Sequence, residues 1–135
     1  WEGTCEVHER FSAADVKEMR KQHPDAFVLA HPECPPEVMA EADFAGSTAQ
    51  MDDYIKTHQP KTAILMTECS MSDNIAAANQ NVNMVGTCQM CPHMKRITLP
   101  KILKALQTGG PTVEIDPDIA ARAKVAVDRM LEMSA

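Results

Sequence analysis

The chain contains no stretch of about eighteen consecutive apolar residues, so no membrane span is expected. No charged start followed by an apolar core and a small-residue cleavage site marks a signal peptide. Basic residues are outnumbered: 13 Lys and Arg stand against 19 Asp and Glu, a formal net charge of −6. They are scattered, and the Lys95–Arg96 pair is only local. A nucleic-acid partner needs a basic face, so none is expected. Aromatic residues make up 4% of the chain, and ten methionines take over part of the core-filling role. Methionine suits that role because it fills irregular gaps. A second closely spaced cysteine pair is also missing. Cys88 and Cys91 stand alone at CxxC spacing, which excludes a zinc ribbon. The cysteine count is five, odd and unevenly spaced. A disulfide framework is therefore not expected, and the pattern points to a reducing cytosol with thiolate or metal chemistry.

What is there describes an ordinary globular chain. Its 135 residues are 44% hydrophobic and 24% charged, enough for one domain, or one domain with part of a neighbour. The first residue is Trp1 and not Met, which leads us to expect a piece of a longer protein.

Apolar runs and caps set out the order of elements. Ser12 and Asp15 form a capping-box pattern, flanked by Phe11 and Val16 as a staple. That predicts a helix to about Gln22, stopping before Pro24. Phe27–Ala30 is a short apolar run between turn residues, predicted to be a buried strand. Pro35 or Pro36 opens a helix over Glu37–Glu41. Asp43–Ala45 is a brief strand, Gly46-Ser47-Thr48 a turn, and a helix follows to about Thr57. Thr62–Met66 is another buried strand, Thr67–Ser70 its loop, and a helix begins near Ser72 or Asp73. Asn83–Val85 is a weak fourth strand, with Gly86–His93 its loop. Strand, polar loop and helix thus alternate with short connections. The predicted class is α/β: a three-layer αβα unit with a short parallel sheet. Ligands of such folds gather outside the carboxyl ends of the strands. The last third differs, with a helix over Leu99–Leu106, a break at Gly109-Gly110-Pro111, and a final helix capped by Asp116 with Pro117 at its first position.

Several residues carry possible chemistry. Cys88 and Cys91 could be a zinc-binding pair, a redox dithiol, two small buried hydrophobes, or one thiolate that joins a distant partner in an Fe–S cluster. His31 and Glu33 follow a buried strand at i and i+2, and could move protons near neutral pH. A surface turn shaped by Pro32 is the competing reading. Ser47 and Thr48 stand at a helix start, where free amides and hydroxyls suit an anion, although plain capping explains them as well. Thr67 and Glu68 share that ambiguity. His8 and Glu9 read as a loop pair leading into the first helix.

Taken together, five segments resemble the quinolinate synthase family. They are Trp1-Glu2-Gly3-Thr4-Cys5-Glu6-Val7-His8-Glu9, His31-Pro32-Glu33-Cys34, Gly46-Ser47-Thr48, Thr67-Glu68-Cys69-Ser70-Met71 and Cys91-Pro92-His93-Met94-Lys95. They occur in the family's order and at compatible spacing across the whole chain. The resemblance implies condensation of iminosuccinate with dihydroxyacetone phosphate to quinolinate, the precursor of NAD. It implies three similar αβα units around a central [4Fe–4S] cluster, one cysteine from each, and an iron acting on the substrate as a Lewis acid. Residue by residue, it implies Cys5 and Cys91 as cluster ligands, with Cys88 a neighbour. His31 and Glu33 become the catalytic and substrate-contacting pair. Pro32, Ser47, Thr48 and Thr67 become further substrate contacts.

The same resemblance implies a division into a lead-in segment over 1–10, an αβα unit over 11–87, and a cluster-cysteine loop with C-terminal helices over 88–135. Those helices would belong with a unit outside this sequence, as would the third cluster cysteine. The 135 residues alone are therefore expected to be catalytically silent. A cytoplasmic location and an aspartate oxidase supplying iminosuccinate are also implied. The competing hypothesis is a non-enzymatic zinc-binding or thiol-redox module built on Cys88 and Cys91.

Overall fold

The computed structural model describes residues 3–87 and 89–134. Trp1, Glu2 and Cys88, which belong to the segments read above, lie outside the described residues. The described residues fall into two compact units, one running to Arg96 and one starting at Ile97.

The first unit is an αβα sandwich. Helix α1 spans Ala13–Gln22 and starts on a reciprocal capping box: the Asp15 amide donates to Ser12 Oγ, and the Ser12 amide to Asp15 Oδ2. Phe11 and Val16 are both buried beside it, as a hydrophobic staple requires. Strand β1 is Phe27–Ala30, helix α2 Pro36–Glu41, strand β2 Phe44–Ala45 and helix α3 Thr48–His58. Strand β3 is Thr62–Met66, helix α4 Cys69–Ala78 and strand β4 Asn83–Gly86.

The four strands form one parallel sheet in the order β2-β1-β3-β4. Register pairs Leu29 with Leu65, Leu29 with Phe44, and Ile64 with Val85. Strand side chains alternate between faces, and here both faces are covered. Val28, Ala30, Ile64 and Met66 pack with Val16 of α1 and Val38 of α2. Leu29, Ala63 and Leu65 face the other way, onto Met51 and Ile55 of α3 and Ile75 of α4. Two buried faces explain why β1 and β3 read as unbroken apolar runs.

One boundary differs from the sequence expectation. Helix α4 begins at Cys69, not near Ser72. Glu68 is its cap: the Ser70 amide donates to Glu68 Oε2 at 2.7 Å. Glutamate is an uncommon cap, so the residues most favoured for that role, such as Ser72 and Asp73, gave the wrong start.

Gly46 shapes the entry to α3. A Cβ there would lie 2.6 Å from the Phe44 ring and 2.9 Å from the Gln50 Cβ. Glycine lets the chain leave β2 tightly and present Ser47 and Thr48 at the helix start.

The second unit contains helices α5, Leu99–Thr108, and α6, Pro117–Ser134. Asp116 caps α6 through Oδ1, which accepts from the Asp118 and Ile119 amides. Gly109 ends α5 with φ of 67°, the left-handed conformation common after a helix. Leu99, Leu103 and Leu106 of α5 and Ile119, Met130 and Leu131 of α6 are exposed. Among the described residues no helix is long and apolar enough to cross a membrane.

Candidate functional site

The carboxyl ends of β1, β2 and β3 lead into segments that meet at one cavity of about 310 Å³. Cys5, His31, Glu33, Thr48 and Thr67 all line it. They reach it from separate segments. His31 and Glu33 follow β1, Thr48 starts α3, and Thr67 follows β3. Cys5 comes from the lead-in, whose backbone is turned by a bond from the Glu9 amide to the Cys5 carbonyl. Val7, 2% exposed, plugs this segment into the fold.

His8 is the centre of the cavity's hydrogen bonding. It is only 7% exposed. Its Nδ1 lies 3.0 Å from Glu33 Oε2 and its Nε2 3.0 Å from Thr67 Oγ1. An ionised carboxylate only accepts, so Nδ1 donates to Glu33. In the neutral ring Nε2 then accepts from the Thr67 hydroxyl. The His8 ring stacks on His31, with centroids 4.3 Å apart and planes 4° from parallel. His31 Nδ1 accepts from the Glu33 amide at 3.3 Å, which leaves Nε2 to carry the proton when this ring is neutral. Burial, and then the charge of His8, lower the His31 pKa, with Glu33 acting in the opposite direction. His31 is thus biased toward the neutral imidazole at pH 7.

From the sequence, His8 and Glu9 read only as a loop pair leading into the first helix. No local signal marks His8, because the partners that fix it, Glu33 and Thr67, stand 25 and 59 positions away.

Glu68 organises the opposite wall. It lines the cavity and is 8% exposed. Its Oε2 accepts from the Ser70 amide, and its Oε1 from the Cys91 amide at 3.3 Å. Lys95 Nζ lies 3.8 Å from Oε1 and donates to Ser70 Oγ at 2.7 Å. Burial pushes this carboxyl up, but the hydrogen bonds from Ser70 and Cys91 and the Lys95 charge outweigh it, so its pKa is lowered. A bridge between Glu68 and Gln89 fastens the same loop to the end of β3. Cys91 is therefore held next to the cavity by its backbone, although its side chain is not on the lining.

The remaining expected residues are positioned differently. Ser47 is exposed and caps α3, its Oγ accepting from the Gln50 amide while its own amide donates to Gln50 Oε1. Pro32 forms the turn between His31 and Glu33 and is not on the lining. Among the described residues, Cys5, His8 and Glu33 bring three possible metal donors within 4.8 Å of one another. Cys91 and His93 belong to no such group there. His93 Nε2 pairs instead with Glu6 Oε1 at 3.1 Å. Cys34 is buried and donates to the Met66 carbonyl, and burial pushes its thiol up to about 11. It is protonated at neutral pH and unsuited to bind metal.

Chemically, the cavity offers a stacked histidine pair, the carboxylates of Glu33 and Glu68, the hydroxyls of Thr48, Thr67 and Ser70, and a thiol. The start of α3 opens on it and favours anions, whereas the start of α4 is already capped by the Glu68 carboxylate.

Comparison with known proteins gives consistent results. The family model described as quinolinate synthetase A protein matches residues 1–132. Quinolinate synthase 1 of Mesorhizobium japonicum is 61% identical over 131 residues, 97% of this chain and 40% of that protein. Quinolinate synthase of Xylella fastidiosa is 58% identical over 131 residues, covering 97% of this chain and 39% of its own. The Agrobacterium fabrum enzyme is 53% identical over 133 residues, 98% and 39% respectively. The chain thus spans about 40% of the length of the curated relatives it matches.

Proposed function

This chain belongs to the quinolinate synthase family, and on that premise we propose that it forms one wall of the active site of a quinolinate synthase. The reaction joins iminosuccinate to dihydroxyacetone phosphate, with loss of water and phosphate, and feeds NAD synthesis. The observation that carries this reading is the single cavity lined by Cys5, His31, Glu33, Thr48 and Thr67. At about 310 Å³ it lies at the small end of ligand sites, as two small anionic substrates require.

Under this reading His31 and Glu33 move the protons. Neutral His31 carries a proton on Nε2 that it can give to a departing oxygen. Glu33, half-exposed and joined to His8, can accept one from a carbon or nitrogen made acidic by the adjoining imine or carbonyl. His8 holds the Glu33 carboxylate in place and is itself fixed by Thr67. Thr48 and the amides at the start of α3 hold an anionic end of the substrate. Ser47 and Pro32 support these contacts by shaping their turns.

The donor set of this chain fits part of a [4Fe–4S] site. Cys5 and Cys91 are both half-buried, one on the cavity wall and the other tethered to it through Glu68. Buried, protonated Cys34 is excluded. Cys5 and Cys91 would hold the cluster, with a third thiolate from outside these 135 residues. When bound, the cluster supplies an iron that polarises substrate oxygens as a Lewis acid. The 135 residues alone are then inactive, the protein works in the cytoplasm, and an aspartate oxidase supplies its imine.

The test is quinolinate formation by the full-length protein after anaerobic reconstitution with iron and sulfide. His31→Gln and Glu33→Gln should each lower kcat by about 10²–10⁴-fold. Unchanged turnover in both would sink the assignment. Quinolinate made by the 135-residue chain alone would overturn its expected inactivity.

A further inference from the structure

The geometry points to a second anion-holding end of the cavity: we propose that Lys95, positioned by Ser70 and joined by Asn74, holds the phosphate group of the three-carbon substrate. The inference rests on the quinolinate synthase reading of the cavity and assigns a binding group to its far end.

The cavity needs a cation. Glu33 and Glu68 both line it, and among the described lining residues there is no Lys or Arg. Two anionic substrates brought against two carboxylates repel them and one another. Lys95 brings a positive charge to the rim. Its Nζ donates to Ser70 Oγ at 2.7 Å. Ser70 lines the cavity, as does Met94, the residue before Lys95.

The fold does not occupy the whole ammonium. It carries three hydrogens, and one goes to Ser70. Glu68 Oε1 lies 3.8 Å away, close enough to feel the charge but beyond a hydrogen bond. The Glu68 oxygens accept instead from the Ser70 and Cys91 amides. Two ammonium hydrogens therefore remain for a ligand, on a side chain 48% exposed. Asn74 stands four residues after Ser70 on α4 and also lines the cavity. Residues at that spacing share a helix face, with Cβ atoms about 6 Å apart. The exposed Asn74 amide adds two further donors.

Sheet order separates the two anionic ends. In the order β2-β1-β3-β4, the loop after β1 lies between those after β2 and β3. Thr48 follows β2, His31 and Glu33 follow β1, and Ser70 follows β3. Neighbouring strands lie about 4.8 Å apart, so the outer two of these loops start about 10 Å apart. The proton-moving pair thus stands between Thr48 and Lys95, where the reacting carbons of substrates held at both ends would lie. A phosphate monoester carries about 1.5–2 negative charges at pH 7, more than a carboxylate. The ammonium suits the phosphate, and the amides at the start of α3 suit a carboxylate.

The experiment measures equilibrium binding to the full-length protein by calorimetry, with dihydroxyacetone phosphate, inorganic phosphate and succinate as separate ligands. Lys95→Met should weaken both phosphate ligands by at least about tenfold, as loss of a charge-assisted hydrogen bond requires. Succinate binding should be unchanged. In turnover, the loss should appear in the KM for dihydroxyacetone phosphate and not in that for iminosuccinate. Lys95→Arg keeps the charge and should restore most of the affinity. Asn74→Ala leaves the contacts among Lys95, Ser70 and Glu68 in place, and should weaken the phosphate ligands about threefold or more. That variant keeps the test decisive even if Lys95→Met disturbs the loop. Unchanged phosphate affinity in either variant would overturn the proposal. So would a loss for succinate as large as that for phosphate, which would make this a carboxylate subsite. The quinolinate synthase reading fails separately, through a reconstituted full-length protein that makes no quinolinate.

Discussion

Replacing Glu68 with alanine tests how this fold holds Cys91 beside the cavity. The carboxylate accepts from the Ser70 amide at 2.7 Å and from the Cys91 amide at 3.3 Å, with Lys95 at 3.8 Å. Loss of a helix cap costs about 1 kcal/mol. A bond from a buried amide to a charged acceptor is worth about 1.5–3 kcal/mol. The Cys91 bond is long and its residue half-buried, so water recovers part of it and about 1 kcal/mol remains. The Lys95 pair is half-exposed and adds less than about 0.5 kcal/mol. Glu68→Ala should therefore destabilise the protein by about 2–3 kcal/mol. Glu68→Gln, which keeps one acceptor oxygen, should cost about 1 kcal/mol. Urea unfolding of the full-length protein measures the total, and amide exchange at Cys91 measures the local share. About 1 kcal/mol of lost local protection is roughly a fivefold faster exchange. A shift below about 0.5 kcal/mol with unchanged exchange at Cys91 would show that the carboxylate does not hold the loop.

Two further perturbations address other parts of the account. Gly46→Ala places a Cβ 2.6 Å from the Phe44 ring, and should cost about 1–3 kcal/mol in urea unfolding; an unchanged midpoint would mean that the entry to α3 is free to relax. Cys34, with its thiol raised to about 11, should resist brief alkylation at pH 8 while Cys5 and Cys91 react, as read by mass spectrometry. Its ionisation, and with it its reactivity, should rise only as pH approaches 11. Equal labelling of Cys34 at pH 8 would contradict its burial.

Much of the fold was legible because local signals agreed with one another. The Ser12–Asp15 box, the apolar runs Phe27–Ala30 and Thr62–Met66, and Pro36 and Pro117 at helix starts are all short-range features that tertiary contacts reinforce. The start of α4 was misread because its cap is a glutamate whose role depends on a strand-end geometry that spacing does not reveal. The cavity-lining positions after the strands were legible for the same reason that the fold was: β1 and β3 end where His31 and Thr67 begin. His8 was not, because its burial comes from contacts with Glu33 and Thr67, 25 and 59 residues away. No local pattern encodes such a pairing. The tether between Glu68 and Cys91 is likewise long-range, spanning 23 residues.

The central claim is that Cys5 and Cys91, from opposite ends of the first unit's sequence, serve one iron–sulfur centre beside the His8–His31–Glu33 wall. The most direct measurement is iron and sulfide content, with the cluster spectrum, of the anaerobically reconstituted full-length protein and its single cysteine variants. The account predicts that Cys5→Ser and Cys91→Ser each lose the cubane cluster, whereas Cys34→Ser and Cys88→Ser retain it. A full cluster in Cys91→Ser, or its loss in Cys88→Ser alone, would contradict the account.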